Sequence, residues 1–109
     1  MLLFKQRQKV EAMSMEEGVA LKKKEPAVYL LDVRTLKEYA SGHLQGSINL
    51  PLQQIRNARR DIADQQAKIL VYCQSGSRSR RAALALQEYG FTQVIDLGGI
   101  MNWNGKVVR

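Results

Sequence analysis

Ile69-Leu70-Val71-Tyr72-Cys73-Gln74-Ser75-Gly76-Ser77-Arg78-Ser79-Arg80-Arg81 passes from an apolar run through a small polar turn into a basic segment. A short continuous apolar run closed by turn residues is the pattern of a strand buried on both faces. Ala82, Ala83, Leu86 and Tyr89 then recur at helical spacing, and Gly90 is a good helix stop. The stretch reads as strand, tight turn and helix, with Cys73 at the carboxyl end of the strand.

The same alternation extends in both directions. Val28-Tyr29-Leu30-Leu31-Asp32-Val33 is a second apolar run, this one closed by an acid. Before it, Ser14 and Glu17 stand at capping-box spacing and open a helix over about 15–24, ended by Pro26. After it, Thr35 and Glu38 repeat the box and open a short helix through Ala40, stopped by Gly42. Ser47-Ile48-Asn49-Leu50 reads as a short strand halted by Pro51, and a helix over about 52–62 turns Leu52 and Ile55 inward. Phe91 to Leu97 is the last strand, Gly98-Gly99 breaks it, and a short final helix includes Trp103. Strands separated by helices pair in parallel through right-handed crossovers. The fold class is therefore α/β: a small parallel β-sheet flanked by helices on both faces. Ligands of such sheets bind beyond the carboxyl ends of the strands, where Cys73 lies.

The physics of the turn points to an anionic sulfur. A helix start presents free N–H groups and the positive end of the dipole, which favour a thiolate over a thiol. Gly76 is free to adopt a positive φ, and small polar turns of this kind aim several amides at one anion. Arg78, Arg80 and Arg81 stand at the wrong end of the helix for cations, at a cost of about 0.3–1 kcal/mol each when exposed. An anion nearby would offset that cost; the candidates are the Cys73 thiolate, a bound oxyanion, or Asp32. The whole reading requires the sulfur to be exposed at the bottom of a cup of main-chain amides.

At these residues the chain resembles the rhodanese-like domains. Cys73-Gln74-Ser75-Gly76-Ser77-Arg78-Ser79 is similar to their active-site loop, which often reads Cys-x-x-Gly-x-Arg-Ser/Thr. Leu31-Asp32-Val33-Arg34 with Glu38-Tyr39, the segment Gly42 to Pro51, and Gly98-Gly99 with Trp103 resemble three further signatures, in order, over about residues 28–104. The resemblance implies a single rhodanese-like domain over 1–109, with residues 1–13 an edge strand near Val10 or poorly ordered. It implies a sulfurtransferase of thiosulfate sulfurtransferase (rhodanese) type, moving sulfane sulfur through a Cys73 persulfide. The alternatives are a persulfide carrier and a non-catalytic regulatory or binding module. Cys73 is the expected nucleophile, and Gln74, Ser75, Gly76, Ser77, Arg78 and Ser79 the expected substrate-binding loop. Arg78 either binds the donor's oxyanion or pairs with Asp32 and braces the loop. Asp32 and Arg34 are read as loop-bracing, with Arg34 within reach of Glu38, and His43 as a packing residue. Related cysteine phosphatases use His-Cys, five residues, then Arg; here Tyr72 precedes the cysteine and Arg78 follows after four.

Composition bounds the partners. The chain has 109 residues, 45% apolar and 25% charged, which suits one soluble domain. One cysteine and one histidine leave no cysteine-based metal site, and no cofactor is expected. The absence of a second cysteine means that the sulfur acceptor, a thiol or similar nucleophile, comes from outside. A net charge of +7 suits a small anionic donor such as thiosulfate or a persulfide. Few aromatics and no recognition motif argue against nucleic acid. No apolar run approaches a membrane span, and Met1-Leu2-Leu3-Phe4 is too short for a signal peptide, so the expected location is cytoplasmic without a membrane partner.

Overall fold

Alternate residues of the apolar runs go to opposite faces of one sheet. The computed structural model describes residues 9–109. Its strands are β1 (Glu11–Ala12), β2 (Tyr29–Asp32), β3 (Ile48–Asn49), β4 (Lys68–Cys73) and β5 (Gln93–Gly99). These five strands pair in parallel in the order β1-β5-β4-β2-β3. The helices are α1 (Met15–Lys24), α2 (Leu36–Ser41), α3 (Ala58–Asp61) and α4 (Ser77–Glu88).

Strand parity divides the core. Leu31, Val33, Ile69, Val71 and Cys73 face α3 and α4 and join Ile55, Ala82, Ala83 and Leu86 in one buried cluster. Leu30, Leu70 and Tyr72 face the other way, with Met15 of α1, Leu44 and Leu97. Helices thus cover both faces, which the continuous apolar runs require. Each such aliphatic side chain contributes about 1.5–3 kcal/mol when fully buried. Both capping boxes form: Ser14 with Glu17 on α1, and Thr35 with Glu38 on α2. Gly18 is tolerated inside α1 because Leu97 packs where a side chain would stand, with a Cβ falling 2.5 Å from its methyl carbons.

Three expectations need correction. Residues 52–62 do not form one α-helix: Leu52–Asn57 is a 3-10 helix broken at Gln54, and only Ala58–Asp61 is α-helical. The amide of Leu52 donates to Val33 O, which pins this stretch to the end of β2. Leu52, Ile55 and Ala58 recur every three residues, the 3-10 repeat, and so line up on the core. Gly98-Gly99 does not break the last strand. The register slips between Val71 and Tyr72, Leu97 becomes the extra residue, and Gly98 and Gly99 pair with Tyr72 and Cys73. Gly98 takes φ +81, held by its N–H to Asp96 Oδ1, a conformation that favours glycine. Finally, Trp103 follows a 3-10 turn over Ile100–Asn102 rather than lying in a helix. Its ring packs against the α1-side cluster and its indole N–H donates to Lys106 O.

The edge strand expected near Val10 begins at Glu11. Residues 1–8, and with them the opening Leu2-Leu3-Phe4, lie outside the described residues. Among the described residues no helix is long and apolar enough to cross a membrane.

Candidate active site

α4 starts without a capping side chain. Its N-cap is Gly76, at φ +109, which has no side chain to cap the first amides of the helix. Cys73 supplies the missing acceptor. Its Sγ receives the Gly76 N–H at 3.0 Å and the Ser79 N–H at 3.2 Å. Ser79 is the third helical residue, whose amide an N-cap side chain ordinarily satisfies. The lone thiol therefore sits where a helix N-terminus holds an anion.

The loop around it is pinned from several sides. Gln74 O accepts from the Met101 amide at 3.2 Å, and the Gln74 side chain accepts from Arg34 Nη1 at 3.2 Å. Ser79 Oγ donates to Gly76 O at 3.1 Å. A Cβ on Gly99 would fall 2.4 Å from Gln74 O and 2.7 Å from Ser75 Cα, so the bare glycine lets the loop lie directly on β5. Ser75 and Ser77 are exposed on the rim, as is Gln74, whereas Ser79 is buried.

Cys73 lies deeper than an open nucleophile: the residue keeps 1% of its surface. The cup of amides is formed, but it closes over the sulfur instead of leaving it exposed. The reason is the direct seating of the loop on β5 and on the start of α4.

Arg78 does not pair with Asp32. It forms a bidentate pair with Glu38, at 2.8 and 3.0 Å. Parity explains this: Asp32 shares the face of Leu30 and Tyr72, whereas Cys73 shares that of Val71. Nor does Arg34 pair with Glu38. Arg34 is buried against Asp32, with Nη2 at 2.7 Å from Oδ2, and also donates to Gly42 O. Burial works against the Arg34 charge, but the hydrogen bonds and charge of Asp32 more than offset it and raise its pKa. Asn49 ties the same unit down, donating to Asp32 O and Arg34 O. On that face burial pushes the Tyr72 phenol up, so it stays neutral. It meets the Leu44 amide and Ser47 Oγ.

The reading of the sequence missed Glu38 as the partner of Arg78. The Arg78 guanidinium, followed by the bonds from Thr35, lowers the Glu38 carboxyl to about 2 against a burial effect in the other direction. Its signal was the capping box, which turns an acid toward the start of α2. His43 is a packing residue as expected: its Nδ1 meets Tyr39 O at 2.8 Å and its ring stacks on Tyr39 at 3.6 Å. Among the described residues no cluster of His, Cys, Asp and Glu is arranged to hold a metal ion.

A protein-family model described as rhodanese-like domain matches residues 14–106. YqhL of Bacillus subtilis, an uncharacterized protein, is 38% identical over 79 residues, covering 72% of this chain and 62% of that protein. The chain thus spans less than two thirds of that relative. The thiosulfate sulfurtransferase PspE of Escherichia coli is 35% identical over 75 residues, covering 68% of this chain and 72% of PspE. Among solved structures, a rhodanese with anions from E. coli superposes with a TM-score of 0.70 at 32% identity, covering 76% of this chain and 99% of that one.

Proposed function

The chain belongs to the rhodanese-like domain family, and from that membership we propose that it is a thiosulfate sulfurtransferase (rhodanese)-type enzyme carrying sulfane sulfur as a persulfide on Cys73. The observation that carries the reading is the pair of amides, Gly76 and Ser79, directed at the only sulfhydryl of the chain. In the first half-reaction the Cys73 thiolate attacks the outer sulfur of thiosulfate. A new S–S bond forms at Cys73, and sulfite leaves with the electron pair of the bond that breaks. In the second, an external thiolate takes the outer sulfur and Cys73 recovers its thiolate.

The first amides of a helix have no partner inside it. Those of Ser77 and Arg78, the first two residues of α4, are therefore donors for the outer sulfur or for a donor's oxyanion. Gln74 and Ser75 form the rest of the rim. Arg78, held by Glu38, braces the loop, and Asp32 acts through Arg34 to position Gln74. Because Cys73 is buried, the exposure this reading requires has to come from opening of the loop, which favours a small donor over the persulfide of a docked protein, and so the enzyme over the carrier. A sheet shared by all five strands and covered on both faces supports a single domain.

The test is intact mass after incubation with thiosulfate. The protein is expected to gain one sulfur atom, lose it to a reductant, and gain nothing as Cys73→Ser. A wild-type protein that takes up no sulfur from thiosulfate would refute the enzyme; uptake only from another protein's persulfide would favour the carrier.

A further inference from the structure

On the face of the sheet opposite Cys73, a cleft of about 540 Å³ lies between α1 and the chain that follows β5. Its volume is that of a small-molecule site. Three segments wall it. α1 contributes Val19 and Lys22, the turn after α2 contributes Leu44 and Gly46, and the last loop contributes Trp103 and Lys106. Val19, Leu44 and Trp103 go with the cluster of Leu30 and Tyr72, whereas Cys73 belongs to the other cluster. The cleft is therefore separate from the cup.

Lys22 stands on the inward side of its helix. Positions 15, 19 and 22 recur at helical spacing, and Met15 is buried in the core. The Lys22 stem lies over Gly46, where a Cβ would fall 3.1 Å from its Cε. Its ammonium donates to Pro26 O and Val28 O, each at 2.6 Å. That fixes the charge and leaves one of three N–H donors free. The helix dipole favours a cation at this end of α1. It does not account for Lys106, which reaches the same cleft from the other end of the chain. No carboxylate lines the cleft, and none pairs with Lys22 or Lys106 among the described residues.

Trp103 supplies the third feature. Its indole N–H is already satisfied by Lys106 O at 3.0 Å, and Gly105 lies against the ring. The ring is thus held in place, and what it presents to a ligand is π surface. An apolar floor, a fixed aromatic ring and two cations without acids match a flat apolar body that carries a negative charge.

We propose that this cleft is a second binding site, that its ligand is a small aromatic carboxylate, and that Trp103 recognises the ring and Lys106, with Lys22, the charge. Thiosulfate has no apolar body and does not match it. The site does not depend on Cys73, and sulfur-free probes test it whether or not the protein charges.

The experiment is titration with 2-naphthoate, followed by amide and indole N–H cross-peaks. Trp103 is the only tryptophan, so its indole signal is unambiguous. 2-Naphthalenemethanol keeps the ring and lacks the charge; acetate keeps the charge and lacks the ring. The expected result is a set of shifts confined to the cleft, with naphthoate binding about tenfold more tightly than the alcohol, as one charge-assisted contact gives. Acetate should give no saturable shift. Lys106→Gln and Gln45→Glu, the latter placing an acid in the lining, should each bring the acid-to-alcohol ratio several-fold toward one and leave the affinity for the alcohol unchanged. Both side chains are exposed, and the indole bond goes to the Lys106 main chain, so neither change removes a contact of the fold. Lys22 stays in place because its ammonium ties the end of α1 to Val28. A ratio near one in wild type, or a ratio that neither variant changes, overturns the proposal. So does an acidic peptide with an aromatic residue that binds more tightly than naphthoate, which would give the cleft to a partner protein. Shifts at the cleft on raising the protein concentration alone would give it to a second copy of the chain, and overturn the proposal as well.

Discussion

The Glu38 carboxylate accepts from the Thr35 amide and hydroxyl as well as from Arg78 Nη1 and Nη2, so one side chain caps the start of α2 and holds α4. The cation at the start of α4 is offset by this acid and not by Asp32. Each partner's side chain keeps 32% of its surface, so solvent screens the pair and limits its contribution to about 1 kcal/mol. The Glu38 carboxyl is lowered to about 2 in the folded chain by Arg78 and Thr35. Its contribution is therefore complete above the ordinary carboxylate range and disappears as pH falls through about 2. Urea unfolding of wild type and Glu38→Gln is expected to show a gap of about 1 kcal/mol at neutral pH. The gap should close steadily on acidification. A gap that is absent at neutral pH, or that widens in acid, would contradict the role given to Glu38.

β5 is the element that shapes the loop. Gly99 lies under Gln74 and Ser75, and the atoms a Cβ would meet are main chain and cannot rotate aside. Gly99→Ala is expected to push the loop off β5 and slow sulfur uptake at least about tenfold, with about 1–3 kcal/mol lost from stability. Gly98→Ala is the control. Nothing lies within 4 Å of its Cβ, so only the strain of φ +81 remains. That costs about 1–2 kcal/mol and should leave uptake near wild type. Uptake timed by intact mass, beside urea unfolding, separates the two; a Gly99→Ala protein that charges at the wild-type rate would show that β5 does not hold the loop. What was legible in the sequence was local. The capping boxes at Ser14 and Thr35, the two-sided runs of β2 and β4, and a cysteine at a strand end are each settled within a few residues. What was not legible depended on distant partners. Arg78 and Glu38 are 40 residues apart, and their pairing depends on which way β2 turns Asp32. The glycine pair read as a strand break because the chain alone does not show the loop resting on it. The 3-10 turn at Leu52 was hidden because a spacing of three also suits an α-helix. Strand parity, read one step further from the same runs, already separates Asp32 from Cys73.

At the scale of the whole molecule, a net charge of +7 surrounds a cysteine held by two main-chain amides. Local amides and overall charge act over different distances, and salt distinguishes them. Hydrogen bonds from Gly76 and Ser79 act at contact and feel little screening. The field of the excess lysines and arginines reaches about 30 Å at 0.01 M salt and about 10 Å at 0.1 M. If that field guides the donor to the cup, charging of Cys73 by thiosulfate, a dianion, should slow several-fold across this range, as steered encounters do. Alkylation of the same sulfur by iodoacetamide, which is uncharged, should change little. The ratio of the two rates, each timed by intact mass, cancels any effect of salt on the opening of the loop over the buried thiol. A ratio that falls with salt assigns donor capture to the whole charge distribution. A constant ratio assigns capture to the cup alone and leaves surface lysines such as Lys23 and Lys24 as solvated charge, the role their sequence by itself suggests.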